Sequence, residues 1–177
     1  TNYLHLTIMK LKTTLLGLSL VFAMGAFAQQ VNTKPFVVPE LTTWTGAEGN
    51  FVPKGRIVAD KQLHRLAEKF ATDYEQLCGV KLQVASGKAK AGDFVVKLDK
   101  KAKKLGKEGY ELAISNTATI TAQTEEGVRW GLTTVLQLSE QNEKRELPKG
   151  TTVDIPKYEF RGFLIDAGRK YIPIAYL

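Results

Sequence analysis

Tyr110-Glu111-Leu112-Ala113-Ile114-Ser115-Asn116-Thr117-Ala118-Thr119-Ile120-Thr121-Ala122-Gln123, continued by Thr124-Glu125-Glu126-Gly127-Val128-Arg129-Trp130-Gly131-Leu132-Thr133-Thr134-Val135-Leu136-Gln137-Leu138, contains the change of period that decides the fold. In the first half Tyr110, Leu112 and Ile114 alternate with their neighbours, which sends them to one side of a strand. A turn at Asn116-Thr117 returns the chain through Ala118 to Gln123 as a hairpin. In the second half Val128, Leu132, Val135 and Leu136 fall on one helical face. Glu125 and Glu126 occupy the first turn of that helix, where negative charge suits its dipole.

The same two periods recur on either side. Phe94, Val96 and Leu98 alternate, as do Val80, Leu82 and Val84 around Lys81 and Gln83. Asp60 suits the N-cap of an earlier helix, on which Leu63, Leu66, Ala67, Phe70, Ala71, Tyr74 and Leu77 share a face. Gly79 ends that helix and Gly55 to Ala59 forms a short strand before it. Downstream, Thr151 to Ile155 is a last short strand leading into Pro156. The order β-α-β-β-β-β-α-β predicts an α+β domain over residues 54–156, with two helices on one face of a mostly antiparallel sheet. Residues 29–53 read as a lead-in segment and linker, because Pro35, Pro39 and Pro53 interrupt regular structure; Trp44 and Phe51 are its expected anchors.

Of 177 residues, 44% are apolar, enough for a core, while 25 Lys and Arg against 18 Asp and Glu give a net charge of +7. Much of the excess lies in Lys97, Lys100, Lys101, Lys103, Lys104 and Lys107, opposed only by Asp99 and Glu108. Such a run attracts polyanions, but it contains no aromatic residue for base stacking, so a solvated loop or strand edge is the favoured reading and no nucleic-acid partner is expected. Cys78 stands alone, which excludes an internal disulfide and points to a buried structural thiol. His5, His64 and Cys78 are too scattered for a metal site, and no cofactor is expected. Gly87-Lys88-Ala89-Lys90-Ala91-Gly92 lacks the phosphate-loop pattern, and Trp130 reads as core rather than as a sugar platform.

Met9-Lys10-Leu11-Lys12 is basic, Leu15 to Phe27 is almost wholly apolar, and Ala26-Phe27-Ala28 has the small-x-small pattern of a cleavage site. Residues 9–28 therefore read as a secretory signal peptide, preceded by an upstream extension at residues 1–8. The apolar stretch is shorter than the roughly 20 residues of a membrane span, so no stable membrane insertion is expected after cleavage. The expected destination is the periplasm, the cell surface or the medium.

The last segment has a different character. Phe160-Arg161-Gly162-Phe163-Leu164-Ile165-Asp166-Ala167-Gly168-Arg169-Lys170-Tyr171-Ile172-Pro173 is an apolar strand that opens with Arg-Gly, ends in Asp, and runs into a small-residue turn, Arg and an aromatic. It resembles the first barrel strand of glycoside hydrolase family 20, the β-N-acetylhexosaminidases. Glu108-Gly109-Tyr110-Glu111-Leu112, a hairpin, and then Gly127 to Leu138 resemble the accessory domain that precedes those barrels. Together the resemblance covers about Leu41 to Leu177.

The resemblance implies an exported enzyme that removes terminal N-acetylglucosamine or N-acetylgalactosamine from glycans with retention. The substrate's acetamido oxygen acts as nucleophile, a glutamic acid protonates the leaving oxygen, and a preceding aspartate orients the acetamide. A whole barrel needs roughly 250 residues, so residues 157–177 are expected to hold only its start. The Asp-Glu pair is expected beyond residue 177, no catalytic residue is assigned, and the chain is expected to be an inactive N-terminal fragment. Arg161 is the one substrate contact that the resemblance implies, its guanidinium facing hydroxyls of the terminal sugar. The alternative is an arginine paired with a carboxylate at the junction between domains. Asp166 and Arg169 are expected to pair with each other or to support a neighbouring contact rather than to catalyse. Lys170 stands where many members have histidine, which leaves that position without an assigned role. A stand-alone carbohydrate- or surface-binding module is the alternative function.

Overall fold

Alternating and helical stretches fold much as their periods dictate, into β1 (Thr45–Phe51), β2 (Arg56–Ala59), α1 (His64–Cys78), β3 (Gln83–Ala85), β4 (Asp93–Leu98), β5 (Tyr110–Ile114), β6 (Ala118–Ala122), α2 (Glu125–Glu140) and β7 (Leu147–Asp154). The computed structural model describes residues 30–162 together with Leu164, Ile165, Gly168, Tyr171 and Pro173. Residues 9–28, read above as a signal peptide, and Asp166 and Arg169 lie outside the described residues.

The strands form one sheet in the order β1-β7-β5-β6-β4-β2-β3. The expected antiparallel character holds for only half of it. β1–β7, β7–β5 and β5–β6 are antiparallel, whereas β6–β4, β4–β2 and β2–β3 are parallel. The connections explain the difference. A helix joins β2 to β3, which makes neighbours of two strands running the same way. The chain from β4 to β5 is too long for a tight hairpin, so it skips a position that β6 then fills, parallel to β4.

β1 was not expected. It occupies the lead-in segment, pairing Thr45 with Thr151 and Phe51 with Leu147 across an irregularity between Gly46 and Asn50. Its prolines lie outside it, at residues 35, 39 and 53, and so do not break it. Phe51 is buried and Trp44 packs against the core, so both anchors are as expected. The β3 strand is shorter than its alternation suggests: Val80 is exposed and only Gln83–Ala85 pairs with β2.

Both helices lie on one face. Ile57, Phe94, Val96, Leu112, Ile114 and Ile120 point toward them and share a single core with Ala67, Phe70, Tyr74, Val128 and Val135. Phe94 is the hub, its ring 5.4 to 5.8 Å from those of Phe51, Tyr74 and Phe70. On the helix-free face, Gly87, Lys88 and Ala89 of the β3–β4 connection share a cleft with the buried Val58 and Val95. Arg56 holds the connection by a fork to Asp93, with Nε 3.0 Å and Nη2 2.5 Å from the carboxylate, while the Lys90 amide donates to the same group at 2.7 Å. The Arg56 guanidinium holds the nearly buried Asp93 carboxyl below its ordinary 3.8.

The helix ends differ in how their backbone groups are satisfied. Thr124 caps α2, its Oγ1 accepting from the Gly127 amide at 3.1 Å. Asp60 does not cap α1: a 3₁₀ turn over Lys61–Leu63 intervenes, and the Asp60 side chain makes no capping bond. Gly79, at φ 70°, closes α1 in the left-handed conformation that glycine adopts without strain. Cys78 is buried beside it, and burial pushes its thiol up. Arg145, itself at φ 58°, donates to carbonyls at the ends of both helices, Cys78 at 3.2 Å and Glu140 at 3.3 Å.

None of the described residues from Ile155 onward is in a strand. Arg161 and Gly162, expected to open a barrel strand, lie in irregular backbone, with Phe160 and Leu164 almost fully exposed. A strand needs a neighbour to take up its amides and carbonyls, and no described strand flanks this segment.

Candidate functional site

The site is built where the lysine-rich connection turns into β5. Gly109 closes that turn by donating to the Leu105 carbonyl at 3.0 Å. A Cβ on Gly109 would sit 2.2 Å from that carbonyl oxygen. The first turn of α2 presses on the other side: a Cβ on Gly127 would lie 2.4 Å from the Gly109 carbonyl oxygen. Thr124 Oγ1 donates to the Lys107 carbonyl, tying the α2 N-cap to the same turn. One helical turn on, a Cβ on Gly131 would meet Ile120 Cγ2 at 2.6 Å and the Tyr110 ring at 3.1 Å. Glycines here cost helix stability, and the close approach of helix to sheet is what they make possible.

Tyr110 fixes the far end. Its buried hydroxyl lies 2.7 Å from Thr134 Oγ1 and donates to Asp154 at 3.1 Å. Burial drives the phenol well above its ordinary range. The other Asp154 oxygen accepts from the amide and hydroxyl of Thr42, at 3.0 and 2.6 Å. The last residue of β7 is thereby held by β5 and by the segment before β1, with α2 bonded to the same Tyr110 hydroxyl, which sets where the chain leaves the sheet.

The departing strap carries Arg161 back over the turn. Its Nη2 donates to Glu108 Oε2 at 2.5 Å and its Nη1 to the Tyr158 carbonyl at 2.6 Å. Between turn and strap lies a cleft of about 430 Å³, lined by Leu105, Lys107, Glu108, Ile155, Tyr158 and Glu159 among others. Its floor is apolar and its rim carries both signs of charge. Arg161 thus makes the carboxylate pair named above as the alternative to a sugar contact. Of the five N–H donors of a guanidinium, two are engaged among the described residues. The side chain is 43% exposed.

Glu108 is the participant that the sequence reading missed. In the sequence it is a charge opposing the lysines and the first residue of the Glu-Gly-Tyr triplet, with no partner of its own. Gly109 and Tyr110 being locked in place was the available signal that their neighbour is locked too. The lysines themselves are exposed, as a solvated loop requires. Trp130, read as core, is 37% exposed instead, with Arg129 stacked 5.0 Å from its ring centre. It follows the close-packed Gly127 face by three residues, but Gly131 beside it takes the inward position.

Residues 34–155 match the family model described as glycosyl hydrolase family 20, domain 2. The chain is 33% identical over 134 residues to the lacto-N-biosidase of Bifidobacterium bifidum, a match covering 73% of this chain and 12% of that protein. Among solved structures, it superposes on the family 20 β-N-acetylhexosaminidase of Streptomyces coelicolor A3(2) with a TM-score of 0.68 and 22% identity, over 82% of this chain and 31% of the other. The β-N-acetylhexosaminidase of Bacteroides fragilis gives a TM-score of 0.62 and 19% identity, over 79% and 29%. A third similar structure is an exo-β-N-acetylglucosaminidase from Vibrio harveyi with N-acetylglucosamine bound, at a TM-score of 0.64 and 18% identity, over 84% and 23%. The chain therefore spans about an eighth of the length of the curated relative it matches and under a third of these solved chains.

Proposed function

The chain belongs to glycosyl hydrolase family 20, whose domain 2 it carries, and from that premise we propose that it is the accessory part of an exported β-N-acetylhexosaminidase. In this reading residues 54–156, joined by the β1 strand of the preceding segment, form a non-catalytic domain, and residues from 157 onward lead into a catalytic barrel. The enzyme would release terminal N-acetylglucosamine or N-acetylgalactosamine with retention, the substrate's acetamide acting as nucleophile. That departs from the carboxylate nucleophile of most retaining glycosidases. The acid-base machinery would lie in the part of the relatives that this chain does not match, so the 177 residues alone would show no turnover. Residues 9–28 would direct export.

The observation that carries the proposal is the exit from the sheet. Gly109, Tyr110, Gly127, Gly131 and Asp154 together fix the direction in which the chain leaves β7, and Arg161 lies seven residues beyond. The test is release of a chromophore from a nitrophenyl N-acetylglucosaminide. The full-length gene product should turn it over and the 177-residue chain should not. Turnover by the short chain, or none by a folded full-length product, would refute the reading.

A further inference from the structure

The strap after β7 follows a defined path although no described strand flanks it. Its Tyr158, Phe160 and Leu164 are exposed, so burial of these side chains does not hold it in place. Arg161 ties it to the sheet domain: Nη2 donates to Glu108 across 53 residues of sequence, while Nη1 turns back to the Tyr158 carbonyl and shapes the strap itself. The anchor is fixed on three sides. Glu108 is three-quarters buried, on a turn gripped by Gly127 from α2, closed by Gly109 and tied to Thr124. A surface ion pair contributes little when two free side chains must be ordered to make it. Here the turn orders the carboxylate in advance.

We infer that the Glu108–Arg161 pair is a clasp: it orders the strap before anything packs on it, so that the sheet domain presents Phe160 and Leu164 as a preformed start for the domain that follows. This rests on the proposed reading that residues from 157 onward lead into a catalytic barrel. Strands of a barrel pair over long sequence separations, and the entropy of ordering them must be met before their contacts form. A first segment already held in place lowers that cost, and its exposed apolar side chains are surface for the next element to cover. The accessory domain then has a task that needs no contact with substrate, which is to start its neighbour. Glu108 is a positioning residue for a segment of chain. The Glu-Gly-Tyr triplet divides the work: tyrosine fixes the exit, glycine fixes the turn, and glutamate fixes the strap.

Limited chymotrypsin digestion of the 177-residue chain tests this, because Tyr158 and Phe160 offer cleavage sites within the strap. Glu108→Gln should speed cleavage there about fivefold while leaving the urea midpoint of the domain unchanged. The charge exchange Glu108→Arg/Arg161→Glu should recover part of the resistance. A glutamate that serves only its own turn would instead lower the urea midpoint and gain nothing from the exchange, and that result would overturn the inference. Unchanged cleavage in Glu108→Gln would overturn it as well. NMR of the Arg161 Nε–H signal in the same chain adds a direct readout of the clasp. The signal should shift on Glu108→Gln, and an unmoved signal would count against the inference in the same way. In the full-length gene product, refolding from urea followed by tryptophan fluorescence should slow about threefold in Glu108→Gln, since a contact formed early acts on the folding rate. An unchanged refolding rate would refute the preformed start. A full-length product without turnover would refute the proposed function alone, because none of these readouts depends on turnover.

Discussion

The two helices cover the same face of one sheet by opposite means. Beneath α1 the contact is made of rings: Phe70 and Tyr74 from the helix close on Phe94, with Phe51 reaching in from the end of β1. Beneath α2 it is made of missing side chains, with Gly127 against the Gly109 carbonyl and Gly131 against Ile120 and Tyr110. Rings set a volume that neighbouring side chains can adjust to, whereas backbone in contact with backbone sets a position. The aromatic half supplies core stability, and the glycine half holds the turn that bears Glu108.

Substitutions that break each half should therefore fail differently. Phe94→Ala removes the hub of the ring cluster and should cost about 3–5 kcal/mol, read as a large fall in the urea midpoint. The Arg161 NMR signal should stay in place as long as the protein is folded. Gly127→Ala gains helix propensity of about 1 kcal/mol but drives a methyl into a carbonyl, and the net loss should be about 1–2 kcal/mol. Here the Arg161 signal should move. If Phe94→Ala moves it and Gly127→Ala does not, the division of labour is wrong.

A third substitution separates geometry from contact. Arg145→Ala loses the bonds to both helix ends and keeps the unfavourable φ of 58°, so it should cost about 2 kcal/mol. Arg145→Gly loses the same bonds but is at ease in that backbone, and should cost less on thermal melting.

On the helix-free face, Asp93 has a depressed pKa because Arg56 pairs with it. A carboxyl lowered in the folded state contributes stability that is full above the unfolded value near 3.8 and is lost as pH falls through the folded one. Urea midpoints should thus drop between pH 5 and about pH 3 by more than in Asp93→Asn, a difference of about 1 kcal/mol. The smallest effect belongs to the lysine loop: Lys101→Glu should change stability by less than about 0.5 kcal/mol.

How much of this was legible depends on which interaction set each feature. The alternation at Tyr110, Leu112 and Ile114 and the helical spacing from Val128 to Leu136 report burial, and both elements lie where that spacing puts them. Pairing partners are another matter. Alternation says which face a strand buries and nothing about its neighbour's direction, so the parallel half of the sheet was read as antiparallel. The eleven residues between Leu98 and Tyr110 carried a hint, being too many for a hairpin. β1 was hidden because Thr45–Phe51 is rich in glycine and polar residues, as an edge strand held by its backbone can be. In the site, Gly109, Tyr110 and Gly127 were legible as a motif. The pairing of Glu108 with Arg161 was not, because it depends on where the strap turns back in space.

Arg145 bears on a question of charge that its hydrogen bonds leave aside. Since α1 and α2 both finish at this one guanidinium, they run side by side in the same direction. Parallel helices align their dipoles, and like ends repel. Each carboxyl end carries roughly half a negative charge, so the two together amount to about one. A single permanently ionised arginine is the matching countercharge, placed at the point the two ends share. What reads as a loop residue in an awkward conformation is also the ion that lets two aligned helices lie next to each other.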